Sequence, residues 1–214
     1  MSSPIKVLYW AEGPTDRAAA VALISSVGAE PGPDYSARQK SASGKQRLDQ
    51  KLPAYNAAAA REPFLVLRDL DRDAECAPSL LRQRDEVAAQ FMCFRIVVRS
   101  LEAWLMADAR ALANWLQVDE ARIPMAPEEL ANPKETLLAL VQRSTSREIK
   151  SDLLPSLRSG RQIGPLYAPR LQEFIDKLWD IRRVIASGRA PSLTKAVSCL
   201  ERVVSAYKQA HDLG

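Results

Sequence analysis

The sequence predicts an α/β protein: an open, mostly parallel sheet flanked by helices over residues 1–116, with a helical extension packed on it over residues 117–214. Three observations carry that expectation. Short apolar runs alternate with amphipathic stretches in the order strand-helix-(strand)-helix-strand-helix-strand-helix, the pattern of parallel strands joined by crossover helices. The run Phe64 to Leu67 is almost continuously hydrophobic, as a strand buried on both faces should be. Beyond the Pro-rich connector VDEARIPMAPEELANPKE only helical periodicity remains.

Taken in order, Ile5 to Trp10 (IKVLYW) is the first strand. Thr15 is a good N-cap for the helix that follows, Asp16 puts negative charge in its first turn, and Ala20, Leu23, Ile24 and Val27 share one face before Gly28 ends it. The segment EPGPDYSARQKSASGK is rich in Gly, Pro and Ser, and a short second strand is expected at Tyr35–Gln39. Gln46–Ala60 reads as a helix with Leu48, Leu52 and Tyr55 at helical spacing. After the strand at Phe64–Leu67 come a helix over Ala77–Gln90, a strand over Phe91–Val98 and a single helix LEAWLMADARALANWL. Asn132-Pro133 with Glu135 opens the next helix. Leu171, Phe174, Ile175, Leu178, Ile181 and Ile185 line another, closed by Gly188, and Leu193 to Tyr207 a last one.

Composition narrows the chemistry. The chain has 214 residues, 47% of them apolar, which is ample for a buried core. No apolar run is long enough to span a membrane and no secretion signal is visible, so a cytoplasmic protein is expected. Cys76, Cys93 and Cys199 form neither a zinc pair nor a disulfide framework and are expected to be small buried thiols. The only histidine, His211, lies four residues from the end, a poor place for the imidazole of a nucleophilic triad. Chemistry must therefore rest on carboxylates, lysines and arginines, and carboxylates prefer hard cations such as Mg²⁺ or Mn²⁺. Of the net +4, residues 143–214 hold 13 Lys/Arg against 7 Asp/Glu. An acidic first part followed by a basic last part suits a metal centre beside a phosphate-attracting surface, and equally suits ordinary solvated helix faces.

The acids fall where an open parallel sheet binds its ligands, beyond the C-terminal ends of the strands. Glu12 follows the first strand; Asp69, Asp71 and Asp73 follow a later one. If those strands are neighbours the acids converge, and alternation along an extended chain presents Asp69 and Asp71 together. Such a cluster raises its own pKa values unless a divalent ion relieves the repulsion. Gly13 allows a sharp turn and leaves room for a phosphate at the start of the following helix.

An E-G motif at the first strand end followed by D-x-D at a later one resembles the Toprim (topoisomerase-primase) fold. The segments AEGPTDRAAA, RDLDRDAEC, RSLEAWLMAD, NPKE and SGRQIGP, in this order, are similar to a Toprim-like family, domain of unknown function 4276. The resemblance implies acid-base work or metal binding for Glu12, metal ligation by Asp69 and Asp71 with Asp73 as helper, and a further catalytic acid at Glu102. It implies a Mg²⁺- or Mn²⁺-dependent nuclease acting on DNA or RNA. An ABC-type ATPase partner and a role in antiviral defence follow by the same resemblance, since this chain has no nucleotide loop of its own.

Other readings stand beside these. Glu102 is also a favourable acid in a first helical turn after Ser100, a natural N-cap. Arg68 and Arg99, at strand ends, either bind phosphate or balance the acids. Arg158 and Arg161, in the Gly-containing loop RSGRQIGPLYAPR, are either a phosphate clamp or solvated residues of a capping loop. SASGKQR is no Walker A loop, because Gln46 stands where Ser or Thr is needed. Two further functional classes compete: a non-catalytic nucleic-acid-binding or partner-docking module, and a phosphatase using Asp69 as nucleophile.

Overall fold

Four strands, β1 (Lys6–Ala11), β2 (Glu30–Asp34), β3 (Phe64–Asp69) and β4 (Met92–Val97), form one parallel sheet in the order β2-β1-β3-β4. They come from a computed structural model that describes residues 4–36, 44–71, 73–82, 87–156 and 160–211. The chain divides into two units, Met1–Val97 with Ser192–Gly214, and Val98–Pro191. The sequence-based division at residue 116 falls inside the second unit, and the C-terminal segment groups with the sheet. Among the described residues no helix is long and apolar enough to cross a membrane.

In the first unit, β1 and β3 lie at the centre of the sheet because they are the most continuously apolar segments. Leu8 and Trp10 of β1 join Phe64 and Val66 of β3 and Met92 of β4 on one face. Against it pack Leu48, Leu52 and Tyr55 of α2 (Gly44–Ala58), together with Ala59. The rings of Tyr35, Tyr55 and Phe64 meet with centroids 5.1–5.6 Å apart, each such pair adding about 0.5–1.5 kcal/mol to simple burial. Helix α1 (Pro14–Ser26) buries Ala19, Ala20, Leu23 and Ile24 beside β1 and β2. Its N-cap is Gly13 and not Thr15. Pro14 takes the first helical position, and Asp16 reaches back to accept the Gly13 N–H at 3.0 Å.

Two elements depart from the periodicity reading. The second strand is β2, EPGPD, and not Tyr35–Gln39, of which residues 37–39 lie outside the described residues. Its own propensity is poor, and pairing with β1 imposes the extended form: Glu30 N–H donates to Ile5 O at 2.8 Å and Tyr35 N–H to Tyr9 O at 2.9 Å. Gly32 is needed there, since an added Cβ would sit 3.0 Å from Val7 O. Helix α3 is described over Ala77–Arg82, and residues 87–90, expected to continue it, are not helical. Asn56 instead clamps that backbone, its amide donating to Val87 O at 2.9 Å and its oxygen accepting from Ala89 N–H at 2.8 Å.

The second unit is helical: α4 (Leu101–Ala107), α5 (Ala109–Leu116), α6 (Pro133–Gln142), α7 (Arg147–Leu153), α8 (Tyr167–Lys177) and α9 (Ile181–Ser187). The expected single helix over residues 101–116 breaks at Asp108. That buried carboxylate accepts from Asp180 N–H at 2.9 Å and from Arg183 Nε and Nη2 at 3.1 and 2.8 Å. The expected helix over residues 171–185 breaks before Asp180, which caps α9 by accepting from the N–H groups of Arg182 and Arg183. Asn132 caps α6 as its sequence predicts. The last helix, α10 (Pro191–Ala210), buries Leu193, Ala196, Val197, Leu200, Val203 and Val204. Within the first unit Tyr207 of α10 meets Phe91 edge to face at 5.2 Å. Cys93 is buried, Cys199 half-buried and Cys76 exposed, so the expectation of three buried thiols holds for Cys93 alone.

Candidate functional site

The strand order creates a switch point. The chain leaves β1 for β2 on one side, then crosses back to β3 on the other, so the carboxyl ends of β1 and β3 lie side by side where the connections diverge. The register pairs Ala11 with Leu67, which sets Glu12 level with Arg68 just past the ladder. The two acidic motifs of the sequence therefore share one rim.

After β3 the chain turns at once, with Asp73 N–H donating to Leu70 O at 3.1 Å. Asp71 occupies this turn at φ 46°, a left-handed conformation that Asp tolerates better than most residues. Strand alternation is lost here, so the expected pairing of Asp69 with Asp71 gives way to a different one. Asp71 and Asp73 both ion-pair with the ammonium of Lys45, at 3.0 Å for Asp73. Lys45 is the second residue of α2, and its side chain is only 17% exposed. Burial alone would lower its pKa, but hydrogen bonds to Asp71 and Asp73 and the charges of Asp71 and Glu12 outweigh that and hold it charged. Asp69 is the last residue of β3, half-buried, and its carbonyl accepts from Arg68 Nη1 at 3.5 Å.

Arg68 is buried, with Nη2 at 3.0 Å from Asp73 and Nε at 3.9 Å from Asp49. Of its two expected roles, charge balance is the one these contacts perform. Glu12 completes the rim. Its Oε2 is buried and, among the described residues, has no hydrogen-bond partner. Burial pushes its carboxyl above the usual range, assisted by the charges of Asp71 and Asp73 and opposed by Lys45 and Arg68. Gly44 closes against it, for an added Cβ would stand 2.8 Å from Glu12 Cγ. Gly13 gives its own N–H to Asp16, which caps α1.

Among the described residues no three of His, Cys, Asp and Glu converge closely enough to share an ion as they stand. The donor set still has the right chemistry for a hard cation: several carboxylates, one buried oxygen without a partner, and a positive charge already held by two of the acids.

Glu102 belongs to the second unit, where its oxygens are held at both ends. Ser100 Oγ donates to Oε2 at 2.6 Å and Tyr167 OH to Oε1 at 2.9 Å. Burial raises the Tyr167 phenol far above its ordinary pKa, and the charge of Glu102 and its hydrogen bond act in the same direction. Lys134 Nζ lies 5.2 Å from the centre of the Tyr167 ring. Both carboxylate oxygens of Glu102 are thus hydrogen-bonded within its own unit. Arg99 is half-buried, Arg161 is exposed in the loop before α8, and Arg158 lies outside the described residues.

Lys45, Gly44 and Asp49 are the members that sequence reasoning missed. Their signal was Gly-Lys at a helix start after a Gly/Ser-rich stretch, set aside because it failed one nucleotide-binding pattern. No family model, curated protein or solved structure matches the chain.

Proposed function

We propose that the rim at Glu12, Lys45, Arg68, Asp71 and Asp73 is the active site of a Toprim-type, Mg²⁺- or Mn²⁺-dependent nuclease. The observation that carries this reading is the meeting of a buried, unpartnered Glu12 oxygen with a Lys45-bridged pair of aspartates at the switch point of the sheet. Asp71 and Asp73 would hold the cation, with Glu12 and Asp69 the neighbouring acids along the rim. A bound divalent ion supplies charge neutralisation at the scissile phosphate and an activated water. The protein's own groups do the rest. Glu12, whose carboxyl burial holds above the usual range in the metal-free protein, would take the proton from attacking water. Lys45 and Arg68 keep the rim from being uniformly negative, which lets a phosphodiester approach. An ABC-type ATPase is the partner and antiviral defence the setting that go with this proposal.

A plasmid-nicking assay with Mn²⁺ tests it. Wild type converts supercoiled DNA, while Glu12→Gln and Asp71→Asn lose on the order of 100-fold or more in rate. Wild type and variants leaving DNA and RNA equally intact would overturn the proposal. One observation favours a second reading, a non-catalytic nucleic-acid-binding module: Asp71 and Asp73 are already neutralised by Lys45 and Arg68. That module binds nucleic acid with strong salt dependence and without response to EDTA.

A further inference from the structure

We propose that Cys199 and Cys93 form a thiol modification site for hydroperoxides, in which Cys199 attacks the peroxide and Cys93 resolves the product into a disulfide. Cys93 is the second residue of β4, at the opposite end of that strand from the acidic rim. It is buried, and half-buried Cys199 on α10 is hydrogen-bonded to it, thiol to thiol. Cys93 Sγ also lies 3.9 Å from the carbonyl oxygen of Ala196, about one helical turn before Cys199. Alternation along β4 puts Arg95 on the face that carries Cys93. The Arg95 guanidinium hydrogen-bonds the Cys199 sulfur, and Arg202 adds a second positive charge from α10 itself. Arg95 Nε is buried and, among the described residues, has no hydrogen-bond partner, so a donor is left for an oxygen brought to the sulfur.

β4 is the last strand in the sheet order, and beside it a cavity of about 230 Å³ between Leu52, Leu81, Met92 and Phe94 has Cys199 in its wall. Since a water occupies about 30 Å³, the space admits hydrogen peroxide or a small alkyl hydroperoxide. The surroundings divide the roles of the two thiols. The hydrogen bond from Cys93, with the charges of Arg95 and Arg202, lowers Cys199 below the ordinary thiol range against the opposing effect of burial. Burial pushes Cys93 well above that range, and its contact with Cys199 acts in the same direction. Cys199 is therefore the nucleophile, while Cys93 keeps its proton.

The Cys199 thiolate attacks one peroxide oxygen. An S–O bond forms, the O–O bond breaks, and the leaving oxygen takes the bonding pair and a proton from solvent to become water or an alcohol. The product is a sulfenic acid. Cys93 then attacks that sulfur. The S–S bond forms, the S–O bond breaks, and the hydroxyl leaves as water with the Cys93 proton. The thiols are oxidised by two electrons, and these reduce the peroxide.

The test treats the reduced full chain with stoichiometric hydrogen peroxide at neutral pH, blocks remaining thiols with N-ethylmaleimide and maps peptides by mass spectrometry. Wild type yields peptides joined through Cys93 and Cys199, with Cys76 blocked as a free thiol. Cys93→Ala stops at a Cys199 sulfenic acid that dimedone traps, and Cys199→Ser loses oxidation at Cys93. Oxidation of Cys93 in Cys199→Ser as fast as in wild type, or oxidation of exposed Cys76 ahead of Cys199, overturns the proposal. A second measurement needs no variant. At neutral pH iodoacetamide modifies half-buried Cys199 on the order of tenfold faster than exposed Cys76. Equal or slower modification of Cys199 overturns its assignment as the nucleophile. Arg95→Met narrows the ratio severalfold, and an unchanged ratio counts against the site.

Discussion

Gly44 lies so close to Glu12 that a single added carbon would stand 2.8 Å from Glu12 Cγ. The contact joins the start of α2 to the end of β1, and it fixes where the carboxylate stands in the rim. Because Cγ is in the middle of the side chain, the clash cannot be relieved by swinging a flexible tip. Gly44→Ala is therefore expected to cost about 1–3 kcal/mol by overpacking. On the proposed nuclease reading the nicking rate should also fall by on the order of 100-fold, the usual effect of moving a reacting group by an ångström. Urea unfolding and the nicking assay together check this. A variant with normal stability and normal rate would show that Glu12 has no fixed place.

Glu12→Gln gives a pH signature with a definite sign. The folded-state pKa of Glu12 is raised, chiefly by burial, so the folded protein binds this proton more tightly than the unfolded chain. The stability contributed by that proton is full below the unfolded value of 4.5 and is lost as pH rises through the folded one. The neutral amide does not titrate. The stability of wild type relative to Glu12→Gln should accordingly decline from pH 4 towards neutrality, measured by urea unfolding at several pH values. A flat difference, or one that rises with pH, contradicts the assignment.

Tyr167→Phe separates structure from chemistry at Glu102. It removes one donor to a buried carboxylate and is expected to cost about 1.5–3 kcal/mol, the range for hydrogen bonds to charged groups. Thermal unfolding checks the loss. Glu102→Gln should also destabilise. A Glu102→Gln protein with normal melting and no cleavage would return Glu102 to the reaction.

Asn56→Ala should expose the segment it clamps. Val87 O and Ala89 N–H each lose a side-chain partner, at a combined cost of about 1–3 kcal/mol. Hydrogen exchange at Ala89 becomes faster while amides of β1 and β3 keep their protection.

The legible parts of the fold were those that local pattern decides. β1, β3 and β4 are apolar runs of strand length, and Asn132 followed by Pro133 marks the start of α6 where the structure has it. The helix breaks at Asp108 and before Asp180 were not legible, since apolar periodicity runs straight through both. The break at Asp108 depends on partners 72 and 75 residues away in sequence, Asp180 and Arg183. At the proposed site, Glu12, Asp71 and Asp73 stand out in the sequence as acids just past strand ends. Lys45 does not, for its role arises only when α2 is laid beside the turn after β3.

The residues of β2 have a consequence for how the protein keeps to itself. Glu30 directs its N–H inward to Ile5, so alternation turns the next backbone nitrogen, at position 31, away from the sheet. That residue is proline, as is residue 33 after it, and neither has a donor to offer. A stray extended peptide reaching that border meets carbonyl oxygens with nothing to complete a ladder, which protects the sheet from edge-to-edge polymerisation.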